Sequence, residues 1–434
     1  MQEWGMREGN VESCRSPALS YSHPARCRDP APRAWAPRSA PPAVNLGKAL
    51  TMALITGKTI YVLGAGASQH TGAPLLRDFL VTARLLLEGR SKLKHEESFR
   101  KIFEWIDKLR GSAYYVECDL DNLEHVFSIV EMLKQLGDME GQELSRALTH
   151  LVMETLDRTC KLKWAGNVFE PDATLSEFAK NLDELNTKRG KEIGDQHGAF
   201  EKDLIITFNY DVMLDYTMYY LSMAPEYCLF NPPFLGNRYR LLKLHGSINW
   251  GLCQDCKKTN SSVALQEVRP TPVAPGKMVA PMTSSGTLFA MQMMTEVLPN
   301  TPCNSCGKPN VLEPFVIPPT WSKAVGNTPI TGVWAQAVKE IKTAFQIVVI
   351  GYSMPQTDTF FQYLLTLGLT NNPKLHRVVI VDRDNSPELK ERYSKVFARN
   401  LLDRGRLKFL TDMTFYNFLR GPFNSVGSQV EWVL

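Results

Sequence analysis

The sequence predicts an α/β protein built on a doubly wound, mostly parallel sheet of the Rossmann-like type. Short runs rich in β-branched residues alternate along the chain with stretches whose apolar residues recur every three or four positions. The first run, Thr59–Leu63, ends in the glycine turn Gly64-Ala65-Gly66. A long helical stretch and two Cys-x-x-Cys pairs add a large helical insertion and a small module resembling a zinc ribbon.

The composition is that of a globular protein, with 44% apolar and 22% charged residues in 434. The net charge is +4, of which residues 1–50 contribute +3 from seven basic and four acidic residues, so the rest of the chain has no basic footprint for nucleic acid. No apolar run approaches the roughly 18 residues of a membrane span. Nine cysteines, an odd number, without a secretory signal favour a reducing compartment, and we expect a cytoplasmic protein.

Residues 1–51 hold seven prolines and no apolar periodicity, which predicts a disordered segment. Their Arg-rich, acid-poor composition is also compatible with a transit peptide, although the prolines oppose an amphipathic helix. We favour a simpler interpretation, in which translation of the native protein begins at Met52. The folded domain is then expected over residues 52–434.

The turn after the first strand gives a weak signal by itself. Glycine lacks a Cβ, so the backbone there can approach a ligand, and amide groups at the start of the next helix would suit a phosphate. Position 69 is Gln where the dinucleotide fingerprint has its third glycine, and no second strand ending in an acidic residue follows about twenty positions on. A plain tight turn is therefore the alternative. Ser68, Gly72, Pro74 and Arg77, which follow, add to the motif.

Residues 75–202 form the predicted helical insertion. Helical periodicity is present over five segments: Asp78–Leu87, Glu96–Leu109, Asn122–Leu136, Glu143–Leu156 and Leu175–Leu185. The insertion contains three histidines, and we expect each to be a surface or packed helix residue rather than a metal ligand: His95, His125 and His150.

Polar residues follow four later strands of the predicted sheet. The strands are Leu204–Phe208, Leu241–Leu244, Gln346–Ile350 and Val378–Val381, with a last candidate at Leu407–Leu410. The residues that follow them are Asn209 and Asp211, His245, Gly351 and Ser353, and Asp382. Each alone could be a helix cap, a turn former or a satisfied buried side chain. Together they predict a ligand site, because the carboxyl ends of parallel strands share one edge of the sheet.

The cysteine pairs are Cys253-x-x-Cys256 and Cys303-x-x-Cys306, separated by 46 residues. Two such pairs indicate a structural zinc site with four thiolate ligands and no open position for catalysis, in a module spanning residues 251–310. Reduced cysteines without metal are the alternative, because the linker is longer than is usual for a zinc ribbon.

The order of these motifs over residues 59 to about 385 resembles the sirtuin family. The matching sequence is Gly-Ala-Gly-x-Ser, Gly-x-Pro and Arg, then Phe-Asn-x-Asp, Leu-His-Gly-Ser, the two cysteine pairs and Gly-x-Ser. It is most similar to the divergent sirtuin-like branch that includes bacterial NAD-hydrolysing anti-phage defence proteins. The resemblance implies NAD-binding roles for nine residues: Gly64, Ala65, Gly66 and Ser68 at the pyrophosphate and ribose, Pro74 and Arg77 along the cleft, Gly351 and Ser353 at phosphate, and Asp382 at the adenosine ribose.

The resemblance also implies the catalytic residues. Asn209 and Asp211 would hold the nicotinamide ribose, its carboxamide or the attacking water, and His245 would be the general base. Histidine suits that task because its unperturbed pKa is near neutral. Breaking the nicotinamide–ribose bond passes through an oxocarbenium-like state, and nicotinamide leaves without strong acid assistance.

One stretch departs from the protein-deacylating sirtuins, which carry a valine-rich strand that pairs with the substrate peptide. The equivalent stretch here, residues 315–323, contains Pro318 and Pro319, and prolines remove the backbone donors that β-augmentation needs. We therefore expect an NAD glycohydrolase, with zinc as a structural ion. The alternatives are an NAD-dependent deacylase and a non-catalytic sensor of NAD or ADP-ribose. Because an unrestrained NAD hydrolase would be toxic, we also expect control by homo-oligomerisation or by a regulatory protein.

Overall fold

The structure is a computed structural model, and it describes most of the chain from residue 57 to residue 423. The described residues are 57–89, 92–112, 118–160, 163–165, 168–194, 201–223, 225–229, 239–260, 300–317, 330–355, 358–370, 372–397 and 399–423. The predicted disordered segment 1–51, Met52, most of the linker between the cysteine pairs and both Pro318 and Pro319 lie outside these ranges.

The described part contains twelve strands and twelve α-helices. The strands are β1 (Thr59–Leu63), β2 (Lys163–Ala165), β3 (Val168–Glu170), β4 (Leu204–Thr207), β5 (Pro225–Glu226), β6 (Tyr239–Lys243), β7 (Gly246–Cys253), β8 (Thr259–Asn260), β9 (Leu312–Val316), β10 (Gln346–Ile350), β11 (Arg377–Val381) and β12 (Leu407–Leu410). The helices are α1 (Ala65–Ser68), α2 (Leu76–Glu88), α3 (Glu96–Ser112), α4 (Leu123–Gln135), α5 (Met139–Thr159), α6 (Ala173–Ile193), α7 (Met213–Tyr220), α8 (Ile330–Ile341), α9 (Thr359–Leu369), α10 (Pro387–Val396), α11 (Arg399–Asp403) and α12 (Phe415–Arg420).

The main sheet has seven strands in the order β12-β11-β10-β1-β4-β6-β5. Neighbouring strands are parallel throughout. The four central strands β1, β4, β10 and β11 are buried over their whole length, as expected of strands covered on both faces. The predicted doubly wound α/β fold is thus confirmed.

The chain changes direction across this sheet between β1 and β10. From β1 it passes to β4 and β6 on one side, and it later returns to β10, β11 and β12 on the other. In open α/β sheets, ligands bind outside the carboxyl ends of the strands at such a switch point. The glycine turn after β1 and Gly351 after β10 both lie there.

Residues 75–202 contain the five predicted helices, here α2 to α6. Asn122, Asp138 and Asp172 cap three of them by accepting backbone N–H groups of the first turn. The helices α2 to α5 bury a second hydrophobic core around Phe99, Leu148 and neighbouring side chains. A short hairpin of β2 and β3, which the sequence did not predict, separates α5 from α6.

Two of the histidines of this helical region, His95 and His150, pack against neighbouring side chains. The rings of His95 and His150 stack with centroids 4.4 Å apart. His95 contacts the buried carboxylate of Glu154 at 3.2 Å, and His150 Nε2 lies 2.7 Å from Glu313 of β9. No helix in the described part of the chain is long and apolar enough to cross a membrane.

A second, three-stranded antiparallel sheet follows the main sheet, in the order β8-β7-β9. The stretch directly after His245, for which the sequence predicted no strand, is the first half of β7. Gly246 makes this possible: its φ of +81° is left-handed, and a Cβ there would lie 2.2 Å from the Phe315 carbonyl oxygen. The chain thus passes from the main sheet to the second sheet at His245.

Candidate active site

A cavity of about 660 Å³ opens at the carboxyl ends of the main-sheet strands. This volume is within the ordinary range for small-molecule sites. Of the twelve residues predicted for catalysis and NAD binding, the structure brings eleven to the cavity wall: Ala65, Gly66, Ser68, Pro74, Arg77, Asn209, Asp211, His245, Gly351, Ser353 and Asp382. The twelfth, Gly64, does not line the cavity, but its carbonyl oxygen accepts a hydrogen bond from Asn209.

The two glycine turns lock into each other. Gly64 N–H donates to the Ile350 carbonyl at 3.0 Å, and Gly66 N–H donates to the Gly351 carbonyl at 2.9 Å. A Cβ on Gly64 would lie 2.5 Å from the Gly351 oxygen, so no side chain fits. Glycine at positions 64 and 66 therefore allows the turn after β1 to pack closely against the loop after β10. These two amides also have partners already, so donors to a phosphate must come from elsewhere on the wall.

Asn209 ties the glycine turn to the loop after β4. Its Nδ2 donates to the Gly64 carbonyl and to Ser68 Oγ, both at 2.9 Å. Because both amide hydrogens are used in this way, the side chain can contact a ligand only through Oδ1, as a hydrogen-bond acceptor. Ser68 in turn hydrogen-bonds the Asp211 carboxyl group. The three predicted residues Ser68, Asn209 and Asp211 thus form one connected network.

Asp211 is only 5% exposed and is held from several sides. Its Oδ1 accepts the backbone N–H of Met213 at 3.0 Å. Burial raises the pKa of this carboxyl group, against the opposing effects of Lys243 and the two hydrogen bonds. Lys243 donates to the Asp211 carbonyl oxygen at 2.6 Å and pairs with the buried Asp215 at 3.0 Å. A buried ion pair therefore fixes the backbone on which Asp211 stands.

His245 is 4% exposed and lies at the junction of the two sheets. Its carbonyl oxygen accepts the backbone N–H of Ile317 at 2.8 Å, which anchors the backbone. The imidazole packs against two aromatic rings that follow β4, with centroid distances of 5.2 Å to Phe208 and 6.1 Å to Tyr210. The ring is therefore confined by apolar surfaces but borders the cavity.

Two buried acidic residues on the cavity wall were not predicted from the sequence. Asp358, 2% exposed, lies with its Oδ2 3.8 Å from His245 Nε2 and caps α9. Its position just before a helical pattern would have indicated a helix N-cap at this point of the sequence. Glu124, 4% exposed, comes from the first turn of α4 in the helical insertion, and no motif distinguishes it.

The other end of the cavity is polar and more open. Burial raises the pKa of the Asp382 carboxyl group, although its oxygen accepts the backbone N–H of Asp384 at 2.9 Å. Arg383, which follows β11, donates to Oε1 of Gln69, which follows α1, at 3.0 Å. This hydrogen bond links the two segments. The Arg77 side chain is 79% exposed, so it can reach a ligand only at the rim.

The four paired cysteines converge as predicted. Their sulfur atoms all lie within 4.8 Å of one another, with Cys253–Cys306 at 3.7 Å and Cys256–Cys303 at 3.6 Å. A zinc ion bound tetrahedrally at 2.3 Å from each sulfur requires separations of about 3.8 Å. Within the described ranges, no other group of three or more His, Cys, Asp or Glu side chains is arranged to hold a metal.

The two cysteine turns also share one backbone design. In each, the N–H of the first cysteine donates to the carbonyl of the residue five positions on, Lys258 or Lys308. Backbone N–H groups of Cys256 and Ser305 point at the sulfurs of Cys253 and Cys303, both at 3.4 Å. Such amides stabilise thiolates, so the residues present fit a zinc ion.

Comparison with known proteins found similar solved structures but no similar sequences. No family model and no curated protein sequence matches the chain. A crystal structure of a Sir2 homologue–NAD complex has 14% identity and a TM-score of 0.40, covering 87% of this chain and 93% of that chain. A Sir2–p53 peptide–NAD+ structure has 14% identity and a TM-score of 0.38, covering 88% and 99%. Sir2Tm bound to a propionylated peptide has 13% identity and a TM-score of 0.35, covering 89% and 100%. Similarity at this level carries no information on activity.

Proposed function

We propose that the chain is an NAD glycohydrolase of the sirtuin-like type, which cleaves NAD to nicotinamide and ADP-ribose. The observation that supports this most is the meeting of His245, Asn209 and Asp211 on one wall of a single cavity. The same cavity extends to Ser353 and Asp382, the residues proposed for the phosphate and the adenosine ribose. One elongated ligand could thus contact both ends.

The chemistry assigns a role to each residue near His245. The bond between C1′ of the ribose and the nicotinamide nitrogen breaks, and its electron pair leaves with neutral nicotinamide. The ribose passes through an oxocarbenium-like cation. A water molecule then attacks C1′ and gives its proton to His245, the general base. Asn209 Oδ1 and the Asp211 carboxyl group orient the ribose hydroxyls or that water.

The acceptor distinguishes hydrolysis from deacylation. Peptide addition to a sheet requires an edge with free backbone donors. Within the described residues β9 is an edge strand. It contains Pro314, which pairs with Gly251 and, being a proline, has no backbone N–H group to donate. This favours water over an acylated lysine as the acceptor.

The test combines NAD turnover with an acylated peptide. Purified protein is incubated with NAD, and nicotinamide and ADP-ribose are followed chromatographically, without and with an acetyl-lysine peptide. We expect equal turnover in both samples and none in His245→Ala or Asn209→Ala. Turnover that requires the peptide and yields O-acetyl-ADP-ribose would establish a deacylase. Tight NAD binding without turnover in either sample would establish a sensor.

We further propose that zinc has a structural role and that the enzyme is controlled by self-association or a regulatory protein. Cys253 is the last residue of β7, the strand that begins directly after His245, and Cys253 and Cys303 are buried in the same hydrophobic cluster as Ile248 of this strand. A metal ion there would hold the far end of β7 in place. For control, the helical insertion offers exposed apolar side chains such as Leu85 of α2, which is 64% exposed. Sedimentation of active and inactive samples tests this proposal, and a fully active monomer without a partner would contradict it.

A further inference from the structure

Asp358 is placed against His245 by contacts that leave it little freedom. Its Oδ1 accepts the backbone N–H of Phe361 at 3.4 Å, as the N-cap of α9. Its Oδ2 accepts the hydroxyl of Tyr352 at 2.7 Å, and this same oxygen faces His245 Nε2 at 3.8 Å. The side chain is 2% exposed. A helix end and a tyrosine therefore aim one carboxylate oxygen at the imidazole.

Tyr352 is itself held rigidly. Its ring stacks on Phe208 at a centroid distance of 4.4 Å, and Phe208 also packs against the His245 ring. The hydroxyl of Tyr393 donates to the Tyr352 carbonyl oxygen. Tyr352, Asp358 and His245 are all buried, so their arrangement is part of the core of the protein.

We propose that Asp358 is a positioning residue for His245, orienting its ring and stabilising the protonated imidazole that forms when His245 removes a proton. Aspartate serves histidine bases in this way in other enzymes, since a carboxylate opposite an imidazole favours its charged form. The interaction is strong for its distance because both groups are shielded from water. The catalytic part of this proposal rests on the proposed function; the ionisation part does not.

Other titratable groups also lie near His245. Tyr210, after β4, packs on the ring, and Tyr352 lies behind Asp358. Burial raises the pKa of both phenols well above the usual value, so both are neutral near pH 7. Asp211 and Glu124 also line the cavity, and Glu124 is close enough to help raise the pKa of Tyr210 and Tyr352. The distance of 3.8 Å to Asp358 is within the range of an ion pair.

The test measures the ionisation of His245 directly, in the full chain. Histidine side chains are labelled with ¹³C and ¹⁵N, and His245→Ala identifies the His245 resonance among the eight histidines. In Asp358→Asn we expect the titration midpoint of His245 to fall by about one pH unit or more. Asparagine is as good an N-cap as aspartate, so α9 keeps its cap. The matched control is Asp138→Asn, the N-cap of α5, which should leave the midpoint unchanged.

A second variant is expected to shift the titration midpoint of His245 in the opposite direction. In Tyr352→Phe the carboxylate loses one hydrogen-bond donor and interacts more strongly with the imidazole. We expect the midpoint of His245 to rise. An unchanged midpoint in both Asp358→Asn and Tyr352→Phe would overturn the proposal. If Asp358→Asn does not fold, the sign in Tyr352→Phe decides alone.

Kinetics separate this proposal from the proposed function. For NAD hydrolysis we expect Asp358→Asn to lower kcat about 10- to 100-fold with little change in KM, and to move the acidic limb of the pH–rate profile to lower pH. Turnover with the expected midpoint shift but an unchanged kcat would refute the catalytic part. If the wild type does not hydrolyse NAD but the midpoint shifts, the proposed function fails while the pairing of Asp358 with His245 stands.

Discussion

The interlocked glycine turns give the sharpest prediction about stability. Gly351 adopts a left-handed φ of +61°, and a Cβ there would lie 2.4 Å from Ala67 N and 2.6 Å from Gly66 C. Both contacts are with backbone, which cannot rotate away as a flexible side chain would. The substitution Gly351→Ala must therefore move the loop after β10 away from the turn after β1.

The cost of this substitution can be worked out from the contacts. A left-handed conformation costs a non-glycine residue about 1–2 kcal/mol. Separating the loops also weakens the hydrogen bond from Gly66 N–H to the Gly351 carbonyl, worth about 1 kcal/mol. With residual overlap, we expect Gly351→Ala to lower the free energy of unfolding by about 2–5 kcal/mol. This is a large share of the roughly 5–15 kcal/mol typical of a folded domain.

Urea denaturation followed by circular dichroism measures this effect. The matched control is Gly190→Ala in α6, where no atom lies within 4 Å of the added Cβ and φ is not left-handed. There we expect a gain of up to about 1 kcal/mol, because alanine is the better helix former. Since the altered loop lines the cavity, Gly351→Ala should also weaken NAD binding. If Gly351→Ala were as stable as the wild type, the close contact between the two turns would be refuted.

Two further predictions concern the metal and pH. Metal analysis of the purified protein should find about one zinc ion per chain, and Cys306→Ser should lose most of it and melt at lower temperature; a zinc-free protein with unchanged melting would contradict the proposed site. The pKa of Glu154 is lowered to about 2, because hydrogen bonds from the His95 ring and the Lys94 and His95 amides outweigh the raising effect of burial. A lowered folded-state pKa stabilises the protein above the unfolded value near 4.5, and this stabilisation is lost as the pH falls toward 2. Glu154→Gln should therefore remove up to about 3 kcal/mol of stability at pH 7 and flatten the acid limb between pH 4.5 and 2; an unaltered acid limb would contradict the assignment.

Much of the main sheet could be predicted from the sequence, because buried parallel strands appear as short apolar runs. Thr59–Leu63, Gln346–Ile350 and Leu407–Leu410 match the structure at both ends. The first two contain an apolar run of four residues that stops at a glycine. The same periodicity found the five helices of the insertion. The hairpin of β2 and β3 was missed because its strands have three residues each.

The second sheet could not be predicted from the residues that follow His245. Gly246-Ser247 has the composition of a turn, and only the distant pairing with Phe315 and Val316 makes it a strand. Contacts between residues far apart in sequence decide such cases. The same holds for Glu124, which reaches the cavity through the packing of α4 and has no sequence neighbour in the site.

The reason for the glycines also differs from the expectation. The sequence suggested that Gly64 and Gly66 make room for a ligand. In the structure the space beside them is taken by Gly351 and Tyr352, a contact between residues almost 300 positions apart. Asn209 likewise combines its proposed catalytic role with a structural one, since it donates to Gly64 and Ser68. Loss of activity in Asn209→Ala is therefore less diagnostic than in His245→Ala.

The rate of nicotinamide release from NAD by wild-type protein and His245→Ala tests the central claim most directly. The matched control is His376→Ala, because His376 stacks on Phe345 at 5.1 Å at the opposite, amino-terminal end of the sheet strands. We expect steady release without any peptide from the wild type and from His376→Ala, and a loss of at least about 100-fold in His245→Ala with an unchanged melting temperature. Equal rates in the wild type and His245→Ala would contradict the proposal that His245 is the general base of an NAD hydrolase.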